Sequence, residues 1–183
     1  MKVSREQMQA NRLRILDAAG RLFRERGFAS VSVAEVMQAA GLTHGGFYGH
    51  FASKDDLIAQ TLAHISEGGE TTGQGLDAFL DGYLSPRHRD GVAQGCPMAA
   101  LAADTRRQTP EARAAMTDSL RSQISRIAAS ISSTDAPQAR QKAIGLWASM
   151  VGAVILARTA DDEALSDEIL SATRAWIGDR AAD

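Results

Sequence analysis

The chain lacks most of what other protein classes are built from. Its single cysteine, Cys96, rules out an internal disulfide framework. Four prolines and few β-branched runs leave long stretches uninterrupted, so an all-α chain is expected. No run of about 18 apolar residues occurs, which argues against a membrane span. The most apolar window, Ala143–Ala157, is interrupted by Trp147 and Ser149 and closed by Arg158, and it reads as a buried helix. The opening residues, M-K-V-S-R-E-Q, lack the apolar centre of a signal peptide, so a cytoplasmic location and no membrane partner are expected. Catalytic patterns are missing too: there is no G-x-S-x-G, no glycine-rich phosphate loop, no C-x-x-C and no H-E-x-x-H. The four histidines (44, 50, 64 and 88) have no metal-ligand spacing. No enzyme activity, metal or cofactor is expected.

A net charge of −2 hides a difference between two halves. Residues 1–54 hold eight Lys or Arg against four acids, while the remainder holds 12 basic and 18 acidic residues. A basic N-terminal part is the electrostatic footprint of phosphate binding.

Residues 31–57 give that charge a purpose. Ser32 with Glu35 three positions later makes a capping box. Val33, Val36, Met37 and Ala40 follow at helical spacing, and Gly41 is placed as a left-handed C′ residue. Thr43 is a second N-cap, which leaves a turn of about three residues and a new helix near 44–50. A glycine-containing turn of that length marks a helix-turn-helix, whose second helix brings its N-terminus to base edges. That helix carries Gly45, Gly46 and Gly49, each worth about 1 kcal/mol against helix formation, and would not form alone. Phe47 and Phe51 are expected to anchor it, leaving Tyr48 and His50 facing outward. The glycines would then allow close approach to another surface. Ser53 caps the next helix, with Asp55 and Asp56 in its first turn and Lys54 placed for a phosphate contact. An ordinary three-helix core with a decorated surface is the plain alternative.

The stretch G-F-A-S-V-S-V-A-E-V-M-Q-A-A-G-L-T-H-G-G-F-Y-G-H-F-A-S-K-D-D-L resembles the DNA-binding domain of the tetracycline-repressor (TetR/AcrR) family, from about Arg12 to Leu57. The resemblance implies helices over roughly 5–26, 33–40 and 44–50. It implies phosphate contacts from Ser32, Thr43, Tyr48, His50 and Lys54, and base edges facing His44, Gly45 and Gly46. Many family members have Lys at the His44 position and a side chain at the Gly46 position. By the same resemblance the protein is a repressor on a palindromic operator, released by a small-molecule effector.

Beyond Leu57 the expected architecture is two domains and nine helices. The helix-turn-helix domain covers 1–57, with a connecting helix to about 67; 68–183 forms a helical ligand-binding and dimerisation domain. Breaker residues at 68–75 mark the boundary. Helices are expected over about 76–84, 97–107, 110–131, 137–158 and 162–178, with 85–95 and 132–137 as loops. Apolar faces on the last two helices, about 137–178, resemble the family's dimer interface; intrachain core is the alternative. Tyr83, Met98, Met116, Leu120, Trp147 and Met150 are candidate effector contacts, although such side chains also make plain core. Cys96, at a predicted helix start near Arg87, His88 and Arg89, is the other lead, because a helix N-terminus stabilises a thiolate. G-C-P-M-A-A-L-A-A-D is similar to a branch of the family that includes regulators responding to reactive electrophiles, so electrophile or oxidant sensing is the alternative function. An inert buried thiol is the plain reading of Cys96, and a helical adaptor that binds no DNA is the remaining functional class.

Overall fold

The computed structural model describes residues 4–67, 75–131 and 135–181, and among these every regular element is helical. In order they are α1 (Arg5–Arg26), α2 (Val33–Ala39), a 3-10 segment (His44–Gly49) and α3 (Lys54–Glu67). Then come α4 (Leu76–Tyr83), α5 (Pro86–Asp90), a 3-10 turn (Val92–Gln94) and α6 (Pro97–Thr105). The chain ends with α7 (Pro110–Ser130), α8 (Ala136–Thr159) and α9 (Glu163–Ala181). Two compact units result. The described residues of the first are 4–67 and 100–119; those of the second are 75–99, 120–131 and 135–181. The boundary expected at 68–75 lies, apart from Gly75, outside the described residues, as do 132–134 of the second expected loop.

One expectation is corrected: 85–95 is not a loop. Ser85 accepts from the His88 amide at 3.2 Å, Pro86 takes the first helical turn, and α5 forms one short helix more than expected. Ser-Pro before a polar run was the local signal.

In the first unit, α1 buries Ile15, Leu16, Ala19 and Phe23 against α2 and α3. Phe23 and Phe28 meet edge to face at 5.2 Å. The capping box at α2 is complete: the Ser32 hydroxyl accepts from the Glu35 amide, and the Glu35 carboxylate accepts from the Ser32 amide at 2.8 Å. At the other end Gly41 has φ +68°. Its amide bonds the Gln38 carbonyl and the Leu42 amide bonds the Met37 carbonyl, both at 2.9 Å. These are the two bonds of a Schellman stop.

In the second unit, residues 160–162 fold α9 back along α8. In the first unit, Thr109 and Pro110 begin α7 as expected, with Thr109 Oγ1 accepting from the Ala112 amide at 3.4 Å. By length and composition α8 is long and apolar enough to cross a membrane. Here Ala143, Leu146, Trp147, Met150, Ala153 and Val154 are buried within the protein. Arg174 ties α9 to α4 through Asp81 at 2.6 Å and Asp77 at 3.0 Å.

Gly41→Ala tests the turn. A side chain in the left-handed region costs about 1–2 kcal/mol, and its Cβ would lie 2.8 Å from the Arg14 guanidinium, which must move. The denaturant midpoint should fall accordingly, and an unchanged midpoint would contradict this geometry.

Candidate nucleic-acid interface

The turn delivers the chain into a 3-10 helix, tighter than the ordinary helix expected at 44–50. Thr43 has the extended conformation of an N-cap, yet its hydroxyl makes no capping bond; its carbonyl accepts from the Gly46 amide at 3.1 Å instead. That corrects the capping role expected of the Thr43 side chain. Phe47 and Phe51 are buried and stacked at 5.7 Å with a 27° interplanar angle. They hold to the core a segment whose glycines would otherwise leave it unfolded. Tyr48, its ring edge-on to Phe47, is 73% exposed.

Thr43, His44, Gly45, Gly46 and Tyr48 are all exposed on one short stretch, with His50 half-buried at its end. A Cβ at Gly45 or Gly49 would meet nothing within 4 Å, and one at Gly46 would make only ordinary contact with Met37 at 3.7 Å. Nothing inside the protein requires these glycines. Lys54 follows at the first turn of α3, where Ser53 accepts from the Asp56 amide at 3.1 Å. Ser32 stands apart: its hydroxyl already bonds the Glu35 carboxylate at 2.7 Å. Glu35 is held to a pKa of about 2 by its hydrogen bond from Arg26 and by those from Ser32.

Arg12 was not anticipated. Its guanidinium donates to the His50 carbonyl and lies 4.5 Å from the centre of the Phe51 ring. Burial, then the Arg12 charge, hold the His50 imidazole below its ordinary pKa.

In the second unit the expected effector residues separate. Tyr83, Met98, Trp147 and Met150 are buried there; Leu120 is exposed, and Met116 is buried in the first unit. An open groove of about 610 Å³ in the second unit is lined by Asp81, Leu84, Asp167, Leu170 and Arg174. No expected effector residue lines it.

A polar cluster surrounds Cys96. His88 Nε2 accepts from the Cys96 amide at 3.0 Å, so the other ring nitrogen, Nδ1, carries the proton and donates to the Tyr83 carbonyl at 2.7 Å. Arg158, unanticipated, donates to the Arg89 and His88 carbonyls at 2.8 and 2.9 Å, closing the end of α5. Gly95 fits tightly here: a Cβ would sit 3.1 Å from both Arg158 and the Gly91 carbonyl. Arg89 turns away to Asp90 and Asp167.

The residue Cys96 is half-exposed but its thiol is buried, and that burial pushes the thiol pKa up. The Tyr83 side chain and the Ala99 and Met98 amides oppose the rise without overcoming it. Of the two readings left open for Cys96, this burial favours the inert thiol over the thiolate. The Tyr83 hydroxyl lies buried beside it with no aligned partner, and burial pushes its pKa up as well.

With this geometry in view, kinship is clear. The family description "Bacterial regulatory proteins, tetR family" matches residues 15–61. A second, "Transcriptional regulator LmrA/YxaF-like, C-terminal domain", matches residues 72–169, more than half of the chain. The chain belongs to the tetR family of regulatory proteins, with a C-terminal domain of the LmrA/YxaF-like kind. The transcriptional regulator AcrR of Shigella flexneri is 42% identical over 57 residues, 31% of this chain and 26% of the relative. The transcriptional repressor KstR2 of Mycobacterium tuberculosis is 34% identical over 86 residues, 47% of this chain and 36% of the relative. The chain thus spans only about a quarter to a third of these relatives' length. The reduced form of Escherichia coli NemR has the same fold, with TM-score 0.74 and 21% identity over 92% of this chain and 95% of that one.

Burial, the largest influence, then Arg158, holds the His88 pKa below its ordinary value of 6.5, despite the Tyr83 carbonyl acting the other way. The unfolded chain therefore binds this proton more readily. Stability from neutral His88 is present above about pH 6.5 and is lost as pH falls below it. A His88→Gln variant should show a flatter decline in Tm between about pH 6.5 and 5 than wild type; parallel curves would refute the assignment.

Proposed function

We propose that the protein is a DNA-binding transcriptional repressor, working in the cytoplasm as a homodimer and released from a palindromic operator by a small-molecule effector. The observation that carries the reading is the exposed run Thr43–Tyr48, fixed from beneath by Phe47 and Phe51 and entered through a Schellman turn. His44, Gly45 and Gly46 face base edges, while Ser32, Thr43, Tyr48, His50 and Lys54 contact phosphates; Ser32 does so with the capacity left after capping. Open space around Gly45 suits close approach of the DNA backbone. Membership of the family and the repressor relative support the same reading.

The dimer uses about 137–178. Ile144, Ile155 and Leu156 on α8, with Leu165 and Trp176 on α9, are exposed apolar side chains, and Gly145 and Gly152 between them have open space above. A second copy covering this face would give the two-fold symmetry that half-sites ~34–36 Å apart require.

The effector enters among Tyr83, Cys96, Met98, Trp147 and Met150 by opening that core, with Leu120 as an outlying contact. The buried Tyr83 hydroxyl has the Cys96 thiol beside it but no aligned hydrogen bond, and a polar group on the effector would supply one. The effector must bind the released conformation more tightly than the DNA-bound one.

The test is titration with operator DNA, selected from random duplexes, at several salt concentrations. Phosphate contacts release counterions, so the logarithm of affinity should fall linearly with that of salt, and Lys54→Ala should reduce the slope by about one. Binding that is salt-independent and non-selective would overturn the regulator reading and favour the adaptor.

Thiol sensing through Cys96 is disfavoured, because burial raises the thiol pKa whereas a ready nucleophile needs it lowered. An electrophile should release operator DNA equally poorly from wild type and from Cys96→Ser. Release from wild type alone would restore the sensing alternative.

A further inference from the structure

We propose that Arg12 is a positioning residue, fixing the end of the recognition segment from α1 through the His50 carbonyl and the Phe51 ring. The inference rests on the DNA-binding reading above. A helix leaves its last carbonyls unsatisfied and partly negative, and a guanidinium is suited to them in both respects. Arg12 supplies one from 38 positions earlier in the chain. The same group lies over Phe51, the residue whose burial pins the segment to the core. The planar fork thus does two things at once: it donates in its plane and stacks on an aromatic face. Arg14, two residues on, reaches the other end of the motif, where its guanidinium lies against the Gly41 turn. The two arginines of α1 bracket the recognition segment.

This need is specific to the segment. A 3-10 helix has poorer hydrogen-bond geometry than an α-helix, and glycines at 45, 46 and 49 add conformational freedom. Phe47 and Phe51 fix its depth in the core. Sliding of its last turn is resisted at the His50 carbonyl, and Arg12 is the side chain that holds it. Arg12 is itself half-buried and directed at the protein, unlike the exposed Arg14.

A basic residue near a DNA-binding element has an obvious rival role, a direct phosphate contact. Affinity alone does not separate the two, but salt dependence does. Losing a phosphate contact lowers the salt slope by about one; losing a positioning contact leaves the slope unchanged. We expect Arg12→Met to weaken operator binding about tenfold or more, the worth of a hydrogen bond to a charged group, at the wild-type slope and with less discrimination against scrambled duplex. Arg12→Lys keeps the charge but not the fork, so it should resemble Arg12→Met; under the phosphate role it should resemble wild type.

A second measurement needs no DNA. The Arg12 charge opposes His50 protonation, so the His50 imidazole, followed by NMR in the free protein, should titrate at higher pH in Arg12→Met. Wild-type affinity in Arg12→Met, a slope lowered by one, rescue by Lys, or an unmoved His50 titration would each overturn the proposal. Failure of wild type to bind DNA would overturn the regulator reading instead, while the His50 titration would still judge the Arg12 contact.

Discussion

The candidate interface depends on the burial of two phenylalanines beneath a segment that cannot hold its own shape. Phe47 and Phe51 are almost fully buried and stacked on one another. Between and before them lie glycines that disfavour any helix. Removing a buried phenylalanine generally costs about 3–5 kcal/mol, so the two together outweigh the roughly 3 kcal/mol deficit of the three glycines. Burial therefore wins, and the chain accepts a tight helix that the local sequence resists. His44, Tyr48 and the backbone of Gly45 and Gly46 take their positions from this anchor. Both flanks are closed by hydrogen bonds: the Schellman pair at Gly41 before it, and the Ser53 cap after it. A segment so constrained at its base and ends can present glycines to a partner without becoming floppy.

The second unit solves a different problem, that of keeping polar groups inside an apolar domain. Arg158 loses solvation, and this holds its pKa below that of a free guanidinium. Donation to two carbonyls at the end of α5 offsets part of that loss. His88 is neutral and uses both nitrogens. Within this cluster the Tyr83 hydroxyl lacks an aligned partner among the described residues. If the proposed effector enters here, that hydroxyl is where it would gain most, because it would exchange a misaligned contact for a made bond.

Features readable in the sequence were those whose chemistry is local. Ser32 and Glu35, Gly41, Ser53 and Asp56, and Thr109 with Pro110 all act within a few residues of themselves, and the structure has each as read. The Phe47–Phe51 spacing was legible for the same reason. Features that escaped depend on partners distant in the chain. Arg12 meets His50 across 38 positions, and Arg158 closes α5 across about 70. Thr43 looked like a capping residue, but a 3-10 start uses its carbonyl and leaves its hydroxyl uncommitted to the cap. The thiol of Cys96 illustrates the limit best. A helix start argues for a lowered pKa and burial for a raised one; only packing decides how much solvent is lost, and here burial prevails.

The division of labour in the proposed DNA contact follows from the same physics. Phosphate-directed side chains set affinity and register, and these are the groups best represented in this stretch. Base reading demands side chains at the start of the recognition segment, where this chain offers His44 and then two glycines. On the proposed reading, a surface with so few base-reading groups would discriminate mainly through fit: a backbone that approaches closely tolerates only DNA of suitable groove shape. Fit of that kind is sensitive to displacements that a flexible side chain would absorb. On that reading, intramolecular positioning of the segment would carry specificity as well as stability.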